Sequence, residues 1–281
     1  MIFRQINYQF AGYLWYPFNQ TSRLEFSGGY RMIDFDQELR SRIYDLNTGR
    51  EIDATRENLP AQDTLYMPYV STAFVHDNSF FGATAPILGQ TAIMQVAPLF
   101  GTIQYVGALV DLRKYFMPVR PFTLAFRLMH TGRYGTGAED SRLYPLFMGY
   151  ENLVRGYSYY SFSGEELSTE EGFNVYQNLF GSKMAIFNAE LRFPLFGALG
   201  LGRGFYGILP IDFLAFFDGG VAWDSSTNPD FLGGDRKPVF STGVGLRMNL
   251  FGYMIIGAQV AYPFNRPEKG LHFQITFYPG F

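Results

Sequence analysis

Three histidines occur in the chain, His76, His130 and His272. One of them beside a serine and a carboxylate would suffice for acyl transfer. Each, however, falls in a different segment of alternating residues, and the alternation places His130 at an outward or rim position. No Gly-x-Ser-x-Gly elbow, phosphate-binding loop or His-Glu-x-x-His pair is present, so no catalytic residue is assigned and no enzyme activity is expected. Asp224, Asp230 and Asp235 share one polar stretch but lack the spaced ligand set of a calcium loop. No metal and no cofactor is expected. The more informative set is Val154-Arg155-Gly156-Tyr157 with the carboxylates of Glu190 and Asp218 downstream. A guanidinium grips a carboxylate through two parallel hydrogen bonds, a glycine beside it allows a tight turn and close backbone approach, and a tyrosine can wedge the tip. This is chemistry of holding rather than of bond making.

The elements that must position these residues read with a period of two. Leu271, Phe273, Ile275 and Phe277 alternate with His272, Gln274 and Thr276, and Phe240, Thr242, Val244, Leu246, Met248 and Leu250 alternate with Ser241, Gly243, Gly245, Arg247 and Asn249. The same pattern runs through 103–116 and 122–131. Eleven strands are predicted, near 4–16, 22–45, 63–77, 89–98, 102–116, 121–134, 182–194, 210–223, 238–250, 253–264 and 270–281, and no helix is needed. Several exceed the five or six residues usual in globular sheets and suit a tilted membrane strand of about 9–11 residues with an overhang. The stretches 18–21, 117–121 and 251–252 are short; 47–63, 135–181 and 224–237 are long and polar. Short turns at one end and long loops at the other are the arrangement of an outer-membrane barrel. On this parity Asp212, Phe216 and Asp218 face inward with Asn188, Glu190 and Arg192, while Phe213, Ala215 and Phe217 face lipid.

Composition agrees. The chain has 281 residues with 30 Phe, 20 Tyr and 31 Gly, but only 17% charged residues, below the quarter or so of an ordinary soluble domain. A soluble sandwich or lipocalin-like barrel would have charged residues dominate the face opposite its core; here that face is Gly, Ser, Thr, Gln and Asn with an occasional Arg or Asp. Aromatics gather near strand ends at Tyr13, Trp15, Tyr16, Tyr115, Phe116, Trp223, Tyr262 and Phe264, the headgroup level of a membrane. A net charge of −3 with no basic cluster argues against nucleic acid. No stretch is apolar enough for a membrane helix, because Pro210 and Asp212 interrupt the best one. The first twenty residues do not read as a secretory signal.

Val154-Arg155-Gly156-Tyr157 follows Pro145-Leu146-Phe147-Met148-Gly149-Tyr150, and is followed by Asn188-Ala189-Glu190-Leu191-Arg192-Phe193-Pro194 and Phe216-Phe217-Asp218-Gly219-Gly220-Val221-Ala222-Trp223. This ordered set resembles the outer-membrane assembly-factor superfamily, the bacterial surface antigen family of BamA- and TamA-like barrels. The resemblance implies an all-β, transmembrane antiparallel barrel, with the eleven strands being part of about sixteen, and residues 1–281 forming its C-terminal part without the upstream strands or POTRA domains. It implies that loop 135–181 enters the lumen, with Val154, Arg155, Gly156 and Tyr157 as its tip and Asp218, ahead of Glu190, as the lumenal partner. Phe273, Phe277 and Phe281 resemble the family's C-terminal aromatic assembly signal, from which Pro279-Gly280 departs. The function implied is insertion or translocation of proteins at the bacterial outer membrane, with outer-membrane lipids, unfolded or secreted client proteins and periplasmic or lipoprotein partners. Two other roles are compatible with the same barrel: a membrane anchor for a fused N-terminal enzyme or binding domain, and a passive pore.

Overall fold

A computed structural model describes residues 1–45, 48–266 and 269–279 of the chain. Its strands are β1 (Ile2–Pro17), β2 (Ser22–Tyr44), β3 (Glu51–Leu59), β4 (Leu65–Asp77), β5 (Phe80–Phe81), β6 (Pro86–Leu99), β7 (Tyr105–Val119), β8 (Phe122–Tyr134), β9 (Leu146–Phe147), β10 (Phe180–Gly181), β11 (Lys183–Pro194), β12 (Ile211–Trp223), β13 (Val239–Leu250), β14 (Met254–Pro263) and β15 (His272–Pro279). Eleven of them form one antiparallel path, β1-β2-β4-β6-β7-β8-β11-β12-β13-β14-β15, in which each strand pairs with its neighbour in sequence along the path. The long strands predicted from alternation are the members of this path. Such pairing satisfies the backbone groups of each inner strand from its two neighbours, as a strand crossing hydrocarbon requires.

The two faces of the sheet are inverted relative to a water-soluble protein. On β15, Phe273, Ile275 and Phe277 are exposed, at 50–63%, whereas Gln274 and Thr276 are buried at 3% and 6%. On β12 and β13, Phe217, Phe240, Val244 and Leu246 are exposed, while Asp212, Asp218 and Ser241 are buried. Apolar outside and polar inside is the order a lipid solvent imposes. The outer aromatics also form a ring-to-ring row across neighbouring strands, with Phe122 and Phe193 5.2 Å apart and Phe193 and Phe213 5.1 Å apart.

The structure departs from the sequence reading in four places. Helices do occur: α1 (Gly164–Ser168) and α2 (Glu170–Gln177) lie in the long loop, capped by Ser163 and Thr169, and α3 (Leu195–Ala198) follows β11. Each is short and capped by a local hydroxyl or a proline-started turn, so no long 3.6-residue period existed to be seen. The stretch 47–63 contains β3, which pairs with the end of β2; its residues Glu51 to Asn58 are exposed and mainly polar, so they lack the apolar alternation of a lipid strand. The connection 195–210 is long although it lies at the short-turn end, and 100–104 is short although it lies at the long-loop end.

The 195–210 segment has a structural role. The hairpin between β4 and β6 reaches across the sheet opening to it and to the adjoining ends of β12 and β13: the Ala83 N–H donates to the Tyr206 hydroxyl (2.5 Å), Asn249 Nδ2 of β13 donates to the Ala83 carbonyl (2.5 Å), and the Thr84 hydroxyl donates to buried Asp212 of β12. Arg192 Nη1 also donates to the Pro86 carbonyl, at 3.3 Å. Because β7, β8 and β11 separate β6 from β12 in the sheet, these bonds require the sheet to curl around a lumen.

Candidate functional site

The site is built where the long loop meets the inner faces of β11 and β12. Inside the lumen Phe147, Met148, Leu153, Val154, Tyr157 and Leu179 of the loop pack with Met184, Ile186, Ala222 and Val239 of the wall as one apolar core. Burying these groups supplies the driving force that draws the loop inward. Gly220 makes room for it: a Cβ at that position would lie 2.8 Å from Val154 Cγ2 and 2.9 Å from Ile186 Cδ1. Gly156 adopts φ +88°, a left-handed turn that an L side chain rarely takes, and Tyr157 follows it fully buried.

This turn points Arg155 at the wall. Arg155 is 5% exposed, Asp218 0% and Glu190 8%. Arg155 Nε donates to Asp218 Oδ2 (2.6 Å) and Nη2 to Oδ1 (2.7 Å), a two-pronged grip, while the Arg155 backbone N–H donates to Oδ2 at 3.2 Å. Nη1 donates to Glu190 Oε1 at 2.7 Å and to Gln259 Oε1 at 3.5 Å. The guanidinium lies over the Phe216 ring, 3.6 Å from its centroid, a cation–π contact that strengthens when desolvated. Asn188 Nδ2 joins loop to wall by donating to both the Leu153 carbonyl (2.7 Å) and Asp218 Oδ1 (2.8 Å). Burial penalises the Arg155 charge, but Glu190 and Asp218 outweigh it and raise its pKa, so it stays charged.

Tyr157 is anchored at both ends. Its ring fills the core, and its hydroxyl lies 2.8 Å from the Phe240 carbonyl and 3.1 Å from Asn265 Oδ1, either of which can accept its proton. Burial pushes the phenol pKa up, so it remains a donor.

Both carboxylates named from the sequence therefore surround Arg155, Asp218 with the two-pronged grip and Glu190 with a single bond. Arg192 and Arg247 also grip Glu190: Arg192 Nε donates at 2.6 Å, and Arg247 donates through Nη2 at 3.1 Å and Nη1 at 3.2 Å. The share of Arg247 in this cluster was missed, though the Ser/Gly/Arg face of its strand carried the signal. On the neighbouring wall Arg127 and Arg113 both hold Asp111, and Arg127 Nη1 donates to the Asn152 carbonyl of the loop at 2.9 Å. Between loop tip and hairpin lies a cavity of about 630 Å³ lined by Asp111, Arg127, Arg155, Glu190, Arg192 and Arg247.

Other candidates lie apart from it. Phe273 and Phe277 are exposed on β15 and make no part of the Arg155 cluster, and Phe281 lies outside the described residues. His130 stands on the outer face, its Nε2 2.5 Å from the Tyr134 hydroxyl and its ring 5.6 Å from that of Trp223. Asp224 accepts from the hydroxyls of Ser226 (3.0 Å) and Thr227 (2.7 Å). Among the described residues no cluster of His, Asp and Glu is arranged to hold a metal.

A solved structure similar to this one is that of BamA from Haemophilus ducreyi lacking POTRA domains 1–3, with a TM-score of 0.65 at 14% identity, covering 99% of this chain and 55% of that one. The chain thus spans about half the length of that protein, and the likeness is one of fold. No curated protein sequence matches the chain. The family model of the Omp85 superfamily domain matches residues 2–280. With that match over nearly its whole length, the chain belongs to the Omp85 superfamily, the β-barrel proteins of the bacterial outer membrane.

Proposed function

We propose that this barrel takes part in inserting client proteins into the outer membrane or passing them across it, without covalent chemistry, and that the Val154–Tyr157 tip seated on Asp218 and Glu190 defines its working state. The observation that carries the reading is the Arg155 guanidinium, buried and shared between carboxylates of two adjacent strands. A buried charge held this way contributes little net stability against an apolar replacement, since desolvation offsets most of the attraction. Its value is in specifying one position of the loop. Partners on this reading are unfolded outer-membrane or secreted proteins, with periplasmic or lipoprotein components beside them.

The test is complementation. In cells depleted of the native full-length protein, a full-length copy carrying Arg155→Ala should fail to restore correctly folded outer-membrane proteins although it reaches the membrane itself. Normal client assembly with that copy would contradict the role given to the tip.

A further inference from the structure

A second buried arginine holds the same loop. Arg266 lies in the connection between β14 and β15, is 3% exposed, and sends its side chain into the long loop. Nε donates to Glu166 Oε1 (2.6 Å) and Nη2 to Glu166 Oε2 (2.7 Å). Nη2 also donates to the Ser161 carbonyl (3.0 Å), and Nη1 donates to the Ser161 hydroxyl (2.8 Å) and to the Gly156 carbonyl (2.7 Å). A guanidinium has five N–H groups, and these bonds use one for each. The group also stacks on Phe162, with its carbon 3.6 Å from the ring centroid. Lys269 Nζ adds a bond to the Ser161 carbonyl at 2.6 Å.

The bond to Gly156 is the informative one. That carbonyl belongs to the peptide immediately after Arg155-Gly156, at the left-handed turn, inside a buried core where an unpaired acceptor is costly. The conformation that aims Arg155 at the wall thus leaves one acceptor that the loop itself does not satisfy, and Arg266 supplies the donor. We infer that Arg266 is a positioning residue for the motif: by holding the Gly156 carbonyl from the β14–β15 connection it fixes the turn that delivers Arg155 to Asp218 and Glu190. It follows that the tip is tied to the hairpin of β14 and β15, so a displacement of that hairpin pulls on the peptide next to Arg155. The inference rests on the seated tip being the working state.

These 281 residues contain no cysteine; in the full-length protein, with any cysteine outside them replaced by serine, Leu153→Cys, at a buried position beside the tip, reports seating by its protection from a membrane-impermeant maleimide on intact cells. Arg155→Ala in that background sets the unseated level. Arg266→Ala should raise labelling to that level while the barrel keeps its heat-modifiable gel mobility, and Arg266→Lys should give an intermediate value. Glu166→Gln should leave the cysteine protected, because the bonds to Gly156 and Ser161 survive. The charge swap Arg266→Glu with Glu166→Arg should not restore protection, since the carboxylate it places at position 266 has no N–H to give the Gly156 carbonyl. Continued protection in Arg266→Ala, or exposure in Glu166→Gln equal to that of Arg266→Ala, would show that Arg266 only braces α1 and overturn the inference. If Arg266→Ala does not fold, labelling of Arg266→Lys no higher than wild type overturns it equally. If labelling behaves as stated but Arg155→Ala still assembles clients, the inference stands and the proposed function fails.

Discussion

Arg155 and Asp218 meet across 63 residues of sequence in a paired contact of 2.6 and 2.7 Å, both buried, one on a loop and the other on a strand. Neither position is obtainable alone. Asp218 is buried on the inner face of β12, where an unpaired carboxylate would be expensive, and Arg155 reaches it only because Gly156 turns the chain and Gly220 leaves space for Val154. The contact therefore reports the loop, the wall and the parity of β12 together.

The direction of the barrel in the membrane is a first expectation. Long loops should face outward and short turns inward, so cysteines at Ser226 and the exposed Glu165 of the full-length protein should react with an impermeant thiol reagent on intact cells, and one at Asn19 should not. Reaction at Asn19 with protection of the other two would reverse the orientation.

The two tip glycines should fail for different reasons. Gly156→Ala imposes a left-handed conformation on an L residue at a cost of about 1–2 kcal/mol, with its Cβ at ordinary contact distance, 3.4 Å from Ala261 and Pro263. Gly220→Ala keeps its backbone but drives a methyl group into Val154, Ile186 and Met148, an overpacking penalty of about 1–3 kcal/mol. Heat-induced gel-shift midpoints should fall for both, and a Val154→Ala change should rescue Gly220→Ala but not Gly156→Ala. Rescue of both, or of neither, would contradict the assigned contacts.

The clasp on α1 should resist mild acid. The Glu166 carboxyl is held below its ordinary value of 4.5: burial opposes the shift, but the hydrogen bonds and charge of Arg266, with Lys269 beside it, outweigh burial. A carboxylate with a depressed folded pKa stabilises the fold fully above the unfolded pKa and loses that contribution as pH falls through the folded one. Hydrogen-exchange protection of residues 163–177 should thus be level between pH 7 and about 5 and decline only below the usual carboxylate range, and Glu166→Gln should remove the decline. Loss of protection between pH 7 and 5 would contradict this pairing.

Much of the fold was legible because lipid imposes a simple rule on each strand. Phe273, Ile275 and Phe277 against Gln274 and Thr276 state the parity of β15 outright, and the same parity put Asp218 and Glu190 on the inner face. The loop motif was legible as four consecutive residues with two carboxylates downstream. What stayed hidden has no period. Arg266 stands in a connection between strands, and nothing in Asn265-Arg266 marks it as reaching Gly156 and Glu166, 110 and 100 positions away. The hairpin at 78–86 meets Tyr206, Asp212 of β12 and Asn249 of β13 through single polar bonds, and such pairings depend on curvature of the whole sheet. Arg247 lies between these cases: its face was visible, its partner Glu190 was not.

The central claim is that Arg155 and Asp218 act as one buried unit, and a double-mutant cycle tests it most directly. Leaving one member of a buried pair unpartnered costs about 3–5 kcal/mol, against about 0–1 for an exposed pair. In the full-length barrel, Arg155→Ala and Asp218→Ala should each lower the heat-induced gel-shift midpoint, and the double variant should lose little beyond the worse single change, as contacting residues do. Arg155→Lys should recover only part, because an ammonium cannot reproduce the planar fork, and Glu190→Ala should couple to Arg155 more weakly, since Arg192 and Arg247 also hold Glu190. Simple addition of the Arg155 and Asp218 effects, or coupling of Arg155 to Glu190 alone, would contradict the account.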